Sequence, residues 1–353
     1  MISTDSKALE LNSAVADRLR AYGALVDRLE VIVLGQSLKD KIDLSTKVTV
    51  YSLGSRSKFF WLPTAFKLAK SIEADVITCQ DPFFAGWLGW RLSYIKKIPF
   101  EIQVHTDFLS SGFINFSLFN RFKTYLALWL LPKASGVRVV SEQIKKSMLT
   151  SQLKLKCDPV VLPIFVDYEK IINHIPAFDL HQLYPQFDKI IVLASRLTRE
   201  KNLPLAVKVF KGIYRQLPRT GLVIVGDGPE RFSLENLINK LNLNSQVKFK
   251  GWQDDVLSYF KTADLFLQTS VYEGYGLSLL QAIISGCPAV STPVGIANDY
   301  PNQVRVGQTA KQLIDNSLAV LAGPKYEPLP MVNKFGDYQK YCQLIVSEWQ
   351  KIK

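Results

Sequence analysis

The sequence predicts an α/β protein of two similar units facing each other, each with a parallel β-sheet covered by helices. Short β-branched runs alternate with segments of helical spacing, and a second series of the same kind begins near residue 190. At 353 residues the chain is long for one domain, which favours two. Ligands of such sheets bind beyond the carboxyl ends of the strands, so the residues after each strand are the first candidates for a site.

Composition indicates a globular protein with a full core, since 48% of the residues are hydrophobic and 21% are charged. No apolar run approaches the ~18–20 residues that span a bilayer, and the first residues lack a signal-peptide layout. The sequence therefore predicts a cytoplasmic protein. Its cysteines have no paired spacing, which favours free thiols over a disulfide framework or a metal site. They are Cys79, Cys157, Cys287 and Cys342.

The net charge of +12 is concentrated in the first 165 residues, which hold 22 Lys and Arg against 14 Asp and Glu. There the basic residues alternate with aromatic ones, as in Arg56–Trp61 and Phe113–Lys146. This mixture is typical of a surface that contacts anionic lipid, and it predicts peripheral attachment to the inner face of a membrane. No nucleic-acid module is visible, so nucleic acid is not an expected partner. A basic protein without any such partner is the alternative.

The first domain is predicted to span residues 1–165, with polar residues directly after two of its strands. Asp81 follows one strand, His105 is the last residue of another, and Asp107 comes shortly after it. The predicted strands are Met1–Ser3, Leu29–Leu34, Lys47–Leu53, Asp75–Cys79, Phe100–His105, Gly136–Val140 and Val160–Asp167, the last leading into a hinge. The predicted helices are Ala14–Arg28, Thr64–Ile72, Phe83–Ile95, Arg121–Leu131 and Glu142–Thr150.

The second domain is predicted to span residues 166–334. A final helix within residues 335–353 has an apolar face that needs a surface to cover, which we expect on the first domain. The residues of this face are Tyr341, Leu344, Ile345 and Trp349. The predicted strands of the second domain are Ile190–Ala194, Gly221–Val225, Val247–Lys250, Asp264–Ser270 and Ala289–Thr292.

The most informative stretch is Asp264–Gln281, in which a strand leads through a glycine turn into the helix Leu277–Ile284. Unpaired amides at a helix start, at the positive end of its dipole, suit a phosphate. Glu273 in this turn would repel phosphate, so we expect it to contact neutral hydroxyls such as those of a sugar. A solvated Glu in an ordinary connection is the alternative.

Two cations, Arg196 and Lys201, share the turn after the strand Ile190–Ala194. Beside a helix start they would form a clamp for a diphosphate, because cations stabilise negative charge that develops on a leaving group. The spacing Gly226-x-Gly228 is a weak signal and indicates a tight turn without ligand contact.

Four blocks in fixed order resemble a known family. SRLTREKN (Ser195–Asn202), VIVGDGPE, VKFKGW and ADLFLQTSVYEGYGLSLLQAIISGCPAVST (Ala263–Thr292) look like the donor half of family-four retaining glycosyltransferases, which have the two-domain GT-B fold. QDPFFAGWLGW and QVHTDF in the first half agree with this resemblance, and the family keeps an active-site His at the position of His105.

The resemblance implies two Rossmann-like domains across a cleft, the first for the acceptor and the second for a UDP- or GDP-sugar donor. It implies no metal and no cofactor besides this substrate. The resemblance implies that the diphosphate of the donor is bound by Arg196, Lys201 and the amides of Tyr275, Gly276 and Leu277. It implies that Glu273 contacts the transferred sugar. The nucleoside would be contacted by Gly251, Trp252 and Gln281. His105, with Asp81 and Asp107 as further candidates, would lie on the acceptor side.

The function implied is retaining transfer of a sugar to a glycan, a lipid-linked glycan or another acceptor, in surface polysaccharide or glycolipid synthesis. Two departures stand against it: Gln281 replaces the family's Glu for the ribose hydroxyls, and the first strand lacks a glycine-rich turn. They favour, as an alternative, a nucleotide-sugar binding subunit with weak or no catalysis. A nucleotide-sugar epimerase is a third interpretation.

Overall fold

The protein folds into two compact α/β units. The computed structural model describes residues 1–35, 39–53, 61–323, 329 and 337–353, so Arg56–Phe60 of the predicted basic and aromatic segment lie outside the described residues. The first unit comprises Met1–Phe165 and Lys334–Lys353, and the second comprises Val166–Asn333. The chain therefore returns to its first unit at the carboxyl-terminal end.

Within the described residues, the first unit has an eight-stranded sheet. Its strands are β1 (Ile2–Ser3), β2 (Leu29–Val33), β3 (Lys39–Ser45), β4 (Val48–Leu53), β5 (Ile77–Cys79), β6 (Phe100–Val104), β7 (Gly136–Val139) and β8 (Val160–Val161). They are arranged in the order β3-β4-β2-β1-β5-β6-β7-β8, and the edge strand β3 is antiparallel to β4 while the other neighbouring pairs are parallel.

The helices before residue 165 begin at polar caps in several cases. The side chain of Ser13 accepts a hydrogen bond from the amide of Ala16, and that of Ser141 accepts from Ile144, which leaves fewer orphan amides at these helix starts. The helices are α1 (Ala14–Ala24), α2 (Trp61–Ser71), α3 (Phe84–Lys96), α4 (Ser111–Phe116), α5 (Leu118–Leu130) and α6 (Glu142–Thr150).

The second unit has a six-stranded parallel sheet in the part of the chain that the structure describes. Its strands are β9 (Lys189–Ala194), β10 (Thr220–Val225), β11 (Val247–Gly251), β12 (Leu265–Gln268), β13 (Ala289–Ser291) and β14 (Val304–Val306). Their order is β11-β10-β9-β12-β13-β14, so the direction of the winding reverses between β9 and β12. Ligands of doubly wound sheets bind beside such a reversal, at the carboxyl ends of the strands.

Seven helices accompany this sheet among the described residues: α7 (Tyr168–Ile172), α8 (Leu180–Leu183), α9 (Leu203–Tyr214), α10 (Arg231–Lys240), α11 (Val256–Thr262), α12 (Leu277–Ile284) and α13 (Ala310–Ala322). Strand residues such as Leu222 and Ile224 pack with Phe210 of α9 and Leu313 of α13 in one buried apolar cluster. The sequence had not predicted β3, β14 or the helices α4, α7, α8, α11 and α13. Among the described residues no helix combines the length and hydropathy of a membrane span.

The last helix, α14 (Tyr338–Lys351), packs in the core of the first unit. Ile345 and Trp349 are buried there with Leu19 and Tyr22 of α1, and the rings of Tyr22 and Trp349 meet edge to face at 5.5 Å. Leu344, which the sequence placed on the covered face, is 38% exposed.

A buried carboxylate fastens α14 to the sheet. Glu101 of β6 is 2% exposed, and its Oε2 accepts hydrogen bonds from the indole Nε1 of Trp349 at 3.0 Å and from the hydroxyl of Thr78 at 2.6 Å. Gln103 donates to the same Thr78 hydroxyl at 2.8 Å and accepts from Arg138 of β7 at 2.6 Å. A buried charge is tolerated only when its hydrogen bonds are made, so Trp349 is part of what stabilises Glu101.

We expect Trp349→Phe to lower the free energy of unfolding of the first unit by about 2–4 kcal/mol, because Glu101 loses one buried donor and the smaller phenyl ring leaves a gap in the core. Denaturant unfolding measures this loss. Trp129→Phe is the matched control, since Trp129 is 44% exposed. An equal effect of both substitutions would contradict the role of the indole hydrogen bond.

Candidate functional site

The turns after β9 and β12 meet at the reversal of the second sheet. The amide of Val271 donates to the carbonyl of Glu200 at 2.8 Å, and the hydroxyl of Thr269 donates to the carbonyl of Lys201 at 3.0 Å. Because β9 and β12 are parallel neighbours, both turns lie at the same edge of the sheet. The two regions that the sequence singled out independently are therefore joined.

Lys201 and Glu273 form an ion pair at this edge. Lys201 Nζ lies 2.5 Å from Glu273 Oε1, and each side chain is 15% exposed. The hydroxyl of Ser270 donates to the same Oε1 at 2.8 Å. Within the described ranges Glu273 Oε2 takes part in no hydrogen bond, so one carboxylate oxygen is held and the other is available to a ligand. Ser270 is not among the predicted site residues, although a Ser three residues before Glu273 is a visible signal in the sequence.

Arg196 differs from Lys201 in its surroundings. Arg196 is exposed, and it forms no ion pair with any residue that the structure describes. Its turn is nevertheless fixed, because the amide of Leu197 donates to the carbonyl of Asp227 at 2.9 Å and the amide of Thr198 donates to the carbonyl of Arg196 at 3.0 Å. The edge thus holds one cation already paired and a second one whose charge is available to an anion.

The helix α12 begins beside the ion pair. Gly276 stands just before it with φ of +94°, a conformation that side chains disfavour, and Leu277 is its first residue. Tyr275 is 9% exposed, and its carbonyl accepts from the amide of Ile296 at 2.9 Å. Amides in the first turn of a helix have no hydrogen-bond acceptor within the helix, and they form the positive end of its dipole. An anion is therefore favoured at the start of α12.

The predicted nucleoside contacts lie on two separate elements. Gly251 ends β11 with φ of +67°, and Trp252 after it is 62% exposed. Gln281 is half-buried on α12, one turn after the helix start, and its side chain has no hydrogen bond within the described residues. Their shared role in binding a nucleoside stays a prediction.

Asp81 and His105 lie in the first unit, after the neighbouring strands β5 and β6. Asp81 Oδ1 accepts from the amides of Phe83 and Ala85 at 2.8 and 3.2 Å, and burial raises the pKa of this carboxyl. His105 is exposed, and its Nε2 lies 3.3 Å from the Gln103 side-chain oxygen. Solvent reaches this residue, but many protein atoms surround the ring and desolvate it. This desolvation, followed by the charge of Arg138, lowers the pKa of His105, so we expect a neutral imidazole at pH 7.

Asp107 is 4% exposed and serves as a link to α6. Its Oδ2 accepts from Gln143 and Ser147, each at 3.3 Å, while its buried Oδ1 has no hydrogen-bond partner among the residues that the structure describes. Burial raises the pKa of the Asp107 carboxyl. Because Asp107 is buried, an acceptor substrate reaches it less easily than it reaches Asp81 or His105. The role of Asp107 in binding the acceptor substrate stays a prediction.

Two family models match successive parts of the chain. Residues 15–170 match the family described as Glycosyltransferase Family 4, and residues 181–307 match Glycosyl transferases group 1. These matches, together with the two parallel-sheet units, define a GT-B protein. The chain belongs to the family-four glycosyltransferases, as its sequence blocks predicted.

Two curated relatives are similar over part of their length. The α-monoglucosyldiacylglycerol synthase of Streptococcus pneumoniae is 27% identical over 241 residues, 64% of this chain and 54% of that protein. The poly(glycerol-phosphate) α-glucosyltransferase of Bacillus subtilis is 38% identical over 100 residues, 28% of this chain and 15% of that protein. The chain thus spans about half of the first relative and a small part of the second.

Solved structures share the fold at low identity. The sucrose-phosphate synthase of Thermosynechococcus elongatus has a TM-score of 0.74 at 19% identity, covering 95% of this chain and 89% of that one. The HepE protein of Anabaena, in complex with UDP-glucose, has a TM-score of 0.67 at 20% identity, covering 99% of this chain and 97% of that one. These likenesses support the GT-B architecture.

The glycine spacing Gly226-x-Gly228 has a structural explanation. A Cβ on Gly226 would lie 1.9 Å from the carbonyl oxygen of Ser195, and one on Gly228 would lie 2.5 Å from that of Leu197. These glycines therefore allow the loop after β10 to pack against the turn that carries Arg196, which agrees with the predicted tight turn.

We expect Gly226→Ala to destabilise the protein by about 2–4 kcal/mol, through backbone strain and the clash with Ser195. Chemical unfolding measures the loss. Gly251→Ala is the matched control, because Gly251 also has positive φ but its Cβ would meet no atom closer than 3.8 Å. Equal losses in both variants would refute the close approach as the reason for Gly226.

Proposed function

We propose that this protein is a glycosyltransferase that moves a sugar from a nucleotide-activated donor to an acceptor with retention of configuration. The observation that carries the proposal is the Lys201–Glu273 pair beside the start of α12, at the reversal of the second sheet. Cations and a helix start suit a diphosphate, and a carboxylate oxygen directly beside them suits the hydroxyls of the attached sugar. Residues 166–334 would then form the donor domain and residues 1–165 the acceptor domain.

The reaction breaks the bond between the anomeric carbon and the β-phosphate oxygen, and the bonding electrons leave with the diphosphate. Arg196, Lys201 and the α12 amides stabilise that growing negative charge, which is the largest demand in the step. The acceptor hydroxyl attacks from the same face, and the departing phosphate oxygen takes its proton. This route needs neither a bound metal nor a separate base. The neutral His105, on the acceptor domain, would then orient the acceptor.

Glu273 contributes through the hydroxyls of the transferred sugar. Its Oε1 is held by Lys201 and Ser270, so Oε2 can accept a hydrogen bond from a sugar hydroxyl without moving the carboxylate. Because the Glu273 carboxylate is already held, it loses little conformational entropy when the sugar binds. A contact from a fixed carboxylate also fixes the position of the sugar, and this orients the anomeric carbon toward the acceptor. Trp252 and Gly251 would border the base, and Gln281 would bond the ribose.

For the acceptor we propose a lipid-linked or glycan hydroxyl, in glycolipid or surface polysaccharide synthesis. The supporting observation is that relatives of this chain are named as a diacylglycerol glycolipid synthase and a poly(glycerol-phosphate) glucosyltransferase. We propose that the protein works in the cytoplasm, peripherally on the inner face of the membrane. Its free cysteines agree with a reducing compartment.

Incubation with a panel of UDP- and GDP-sugars, with detection of free nucleotide, tests the proposal. We expect slow donor hydrolysis in the wild type, undiminished by a chelator, and its loss in Lys201→Ala and Glu273→Ala. Arg196→Ala should weaken binding of the matching nucleoside diphosphate by roughly 10–100-fold, as for a lost charged hydrogen bond. Lys208→Ala, an exposed cation on α9, is the control.

Glu273→Gln separates the two halves of the site. The free nucleoside diphosphate lacks the sugar, so its affinity should not fall in this variant, whereas turnover of the donor should. If Glu273→Gln weakened the diphosphate as strongly as Arg196→Ala, the assignment of Glu273 to the sugar would be wrong.

The alternative of a binding subunit with weak or no catalysis is favoured by Gln281 and by the lack of a glycine-rich turn after the first strand. An amide loses one charge-assisted hydrogen bond to the ribose relative to a carboxylate. Measurable nucleotide binding without turnover of any donor, even with diverse acceptors, would establish this alternative.

We expect Gln281→Glu to tighten nucleoside diphosphate binding by about tenfold, corresponding to about 1–2 kcal/mol for the stronger hydrogen bond. Calorimetric titration measures the change. Gln312→Glu on α13, on another helix of the same unit, controls for the added charge. Unchanged affinity in Gln281→Glu would remove Gln281 from the ribose site.

A further inference from the structure

Helix α5 exposes its more apolar face. Its buried positions include Asn120, Thr124 and Ala127, whereas the opposite face carries large apolar side chains at helical spacing. These exposed side chains, with their exposed fractions, are Leu118 (80%), Phe122 (53%), Tyr125 (71%) and Trp129 (44%). A helix that only covers the sheet would have the reverse pattern, so this face is suited to an apolar contact outside the unit.

The exposed face continues onto α3, which packs against α5. Phe119 of α5 stacks on Phe84 with ring centroids 6.1 Å apart, and Trp129 meets Trp90 edge to face at 4.6 Å. Tyr94, one helical turn beyond Trp90, is 70% exposed. We name this continuous area, formed by the outer faces of α3 and α5, the α3–α5 surface.

The charge of the α3–α5 surface has one sign. Helices α3, α4 and α5 contain no Asp or Glu. From residue 84 to residue 133 the acids are Glu101 and Asp107, both buried. The bases in this range are Arg91, Lys96, Lys97, Arg121, Lys123 and Lys133. Exposed aromatic rings among cations, on helices that contain no acidic residue, are suited to an extended anionic surface.

The cations and the rings are in direct contact. Lys123 Nζ lies 4.9 Å from the ring centroid of Phe119, and Lys133 Nζ lies 3.9 Å from that of Trp129. Side chains of this kind bury their aliphatic stems and rings at the boundary of a bilayer, while the ammonium groups contact headgroups.

We propose that the α3–α5 surface docks on an anionic lipid bilayer. Leu118, Phe122 and Tyr125 enter the boundary between headgroups and acyl chains, and Arg121 and Lys123 contact phosphates. A protein partner would have to supply acidic groups across the whole area, whereas an anionic bilayer supplies them everywhere. The proposal rests on the proposed function only for its purpose, access to a lipid-linked acceptor, and binding itself requires no turnover.

The α3–α5 surface also adjoins the predicted acceptor edge of the first unit. Lys123 Nζ lies 5.1 Å from the ring centroid of Phe83, whose amide donates to Asp81 at 2.8 Å. Helix α3 begins shortly after β5 ends, so Phe84 and its stacking partner Phe119 lie at the carboxyl edge of the sheet. Docking through this surface would therefore bring membrane-held molecules next to Asp81.

Flotation with phosphatidylcholine vesicles, with and without phosphatidylglycerol, tests the proposal on the full chain. We expect co-flotation with the anionic vesicles at low salt, and a decrease as salt rises, because screening weakens the headgroup contacts. The double variant Phe122→Ser/Tyr125→Ser should lower the bound fraction at least tenfold. The control is Ile175→Ser/Phe232→Ser, which removes residues 84% and 73% exposed in the second unit.

Arg121→Gln/Lys123→Gln tests the charge separately and should abolish the preference for phosphatidylglycerol. Absence of co-flotation at low salt, or equal loss in the control variant, would overturn the proposal. So would concentration-dependent self-association that Phe122→Ser/Tyr125→Ser abolishes while vesicles bind unchanged, since the surface would then join two copies of the chain.

Donor hydrolysis in solution distinguishes a failure here from a failure of the proposed function. Phe122→Ser/Tyr125→Ser should retain wild-type hydrolysis of the soluble nucleotide sugar while losing vesicle binding. Loss of hydrolysis with intact flotation would instead concern the donor site.

Discussion

The contact between Lys201 and Glu273 depends on the whole topology of the second unit. The two residues are 72 positions apart, and they meet because β9 and β12 lie side by side where the winding reverses. Both charges are largely removed from water, so each needs the other until a ligand arrives. The pair therefore holds two functional groups in place before binding, which spares the reaction the cost of ordering them. Ser270, Thr269 and the α12 start are arranged around this pair.

The sequence predicted the strands of both sheets well where the runs were apolar and β-branched, as in β2, β9 and β10. It missed β3, because KDKIDLS alternates charges and has no continuous apolar run. It placed Leu344 on the covered face of the last helix, where Val346 and Cys342 lie instead. Helical spacing predicts that a helix has an apolar side, but the direction in which that side faces is decided by the packing.

The candidate site shows the same division between local and distant information. Each turn could be recognised from its own residues: two cations after one strand, and a carboxylate before a helix after another. Their ion pair could not, because it depends on which strands are neighbours. The charge of the first unit shows the same division between what the sequence alone indicates and what the fold decides. A count over 165 residues showed a basic excess, but the cationic area on α3 and α5 arises because the fold buries Glu101 and Asp107.

The position of α14 has a consequence for synthesis of the protein. The core of the first unit includes Tyr341, Ile345 and Trp349, which leave the ribosome after everything in the second unit. Domains usually form in the order in which they are translated. Here the second unit is complete in the nascent chain while Glu101 still lacks its indole partner. The unit that is translated first is thus the last one that can be finished.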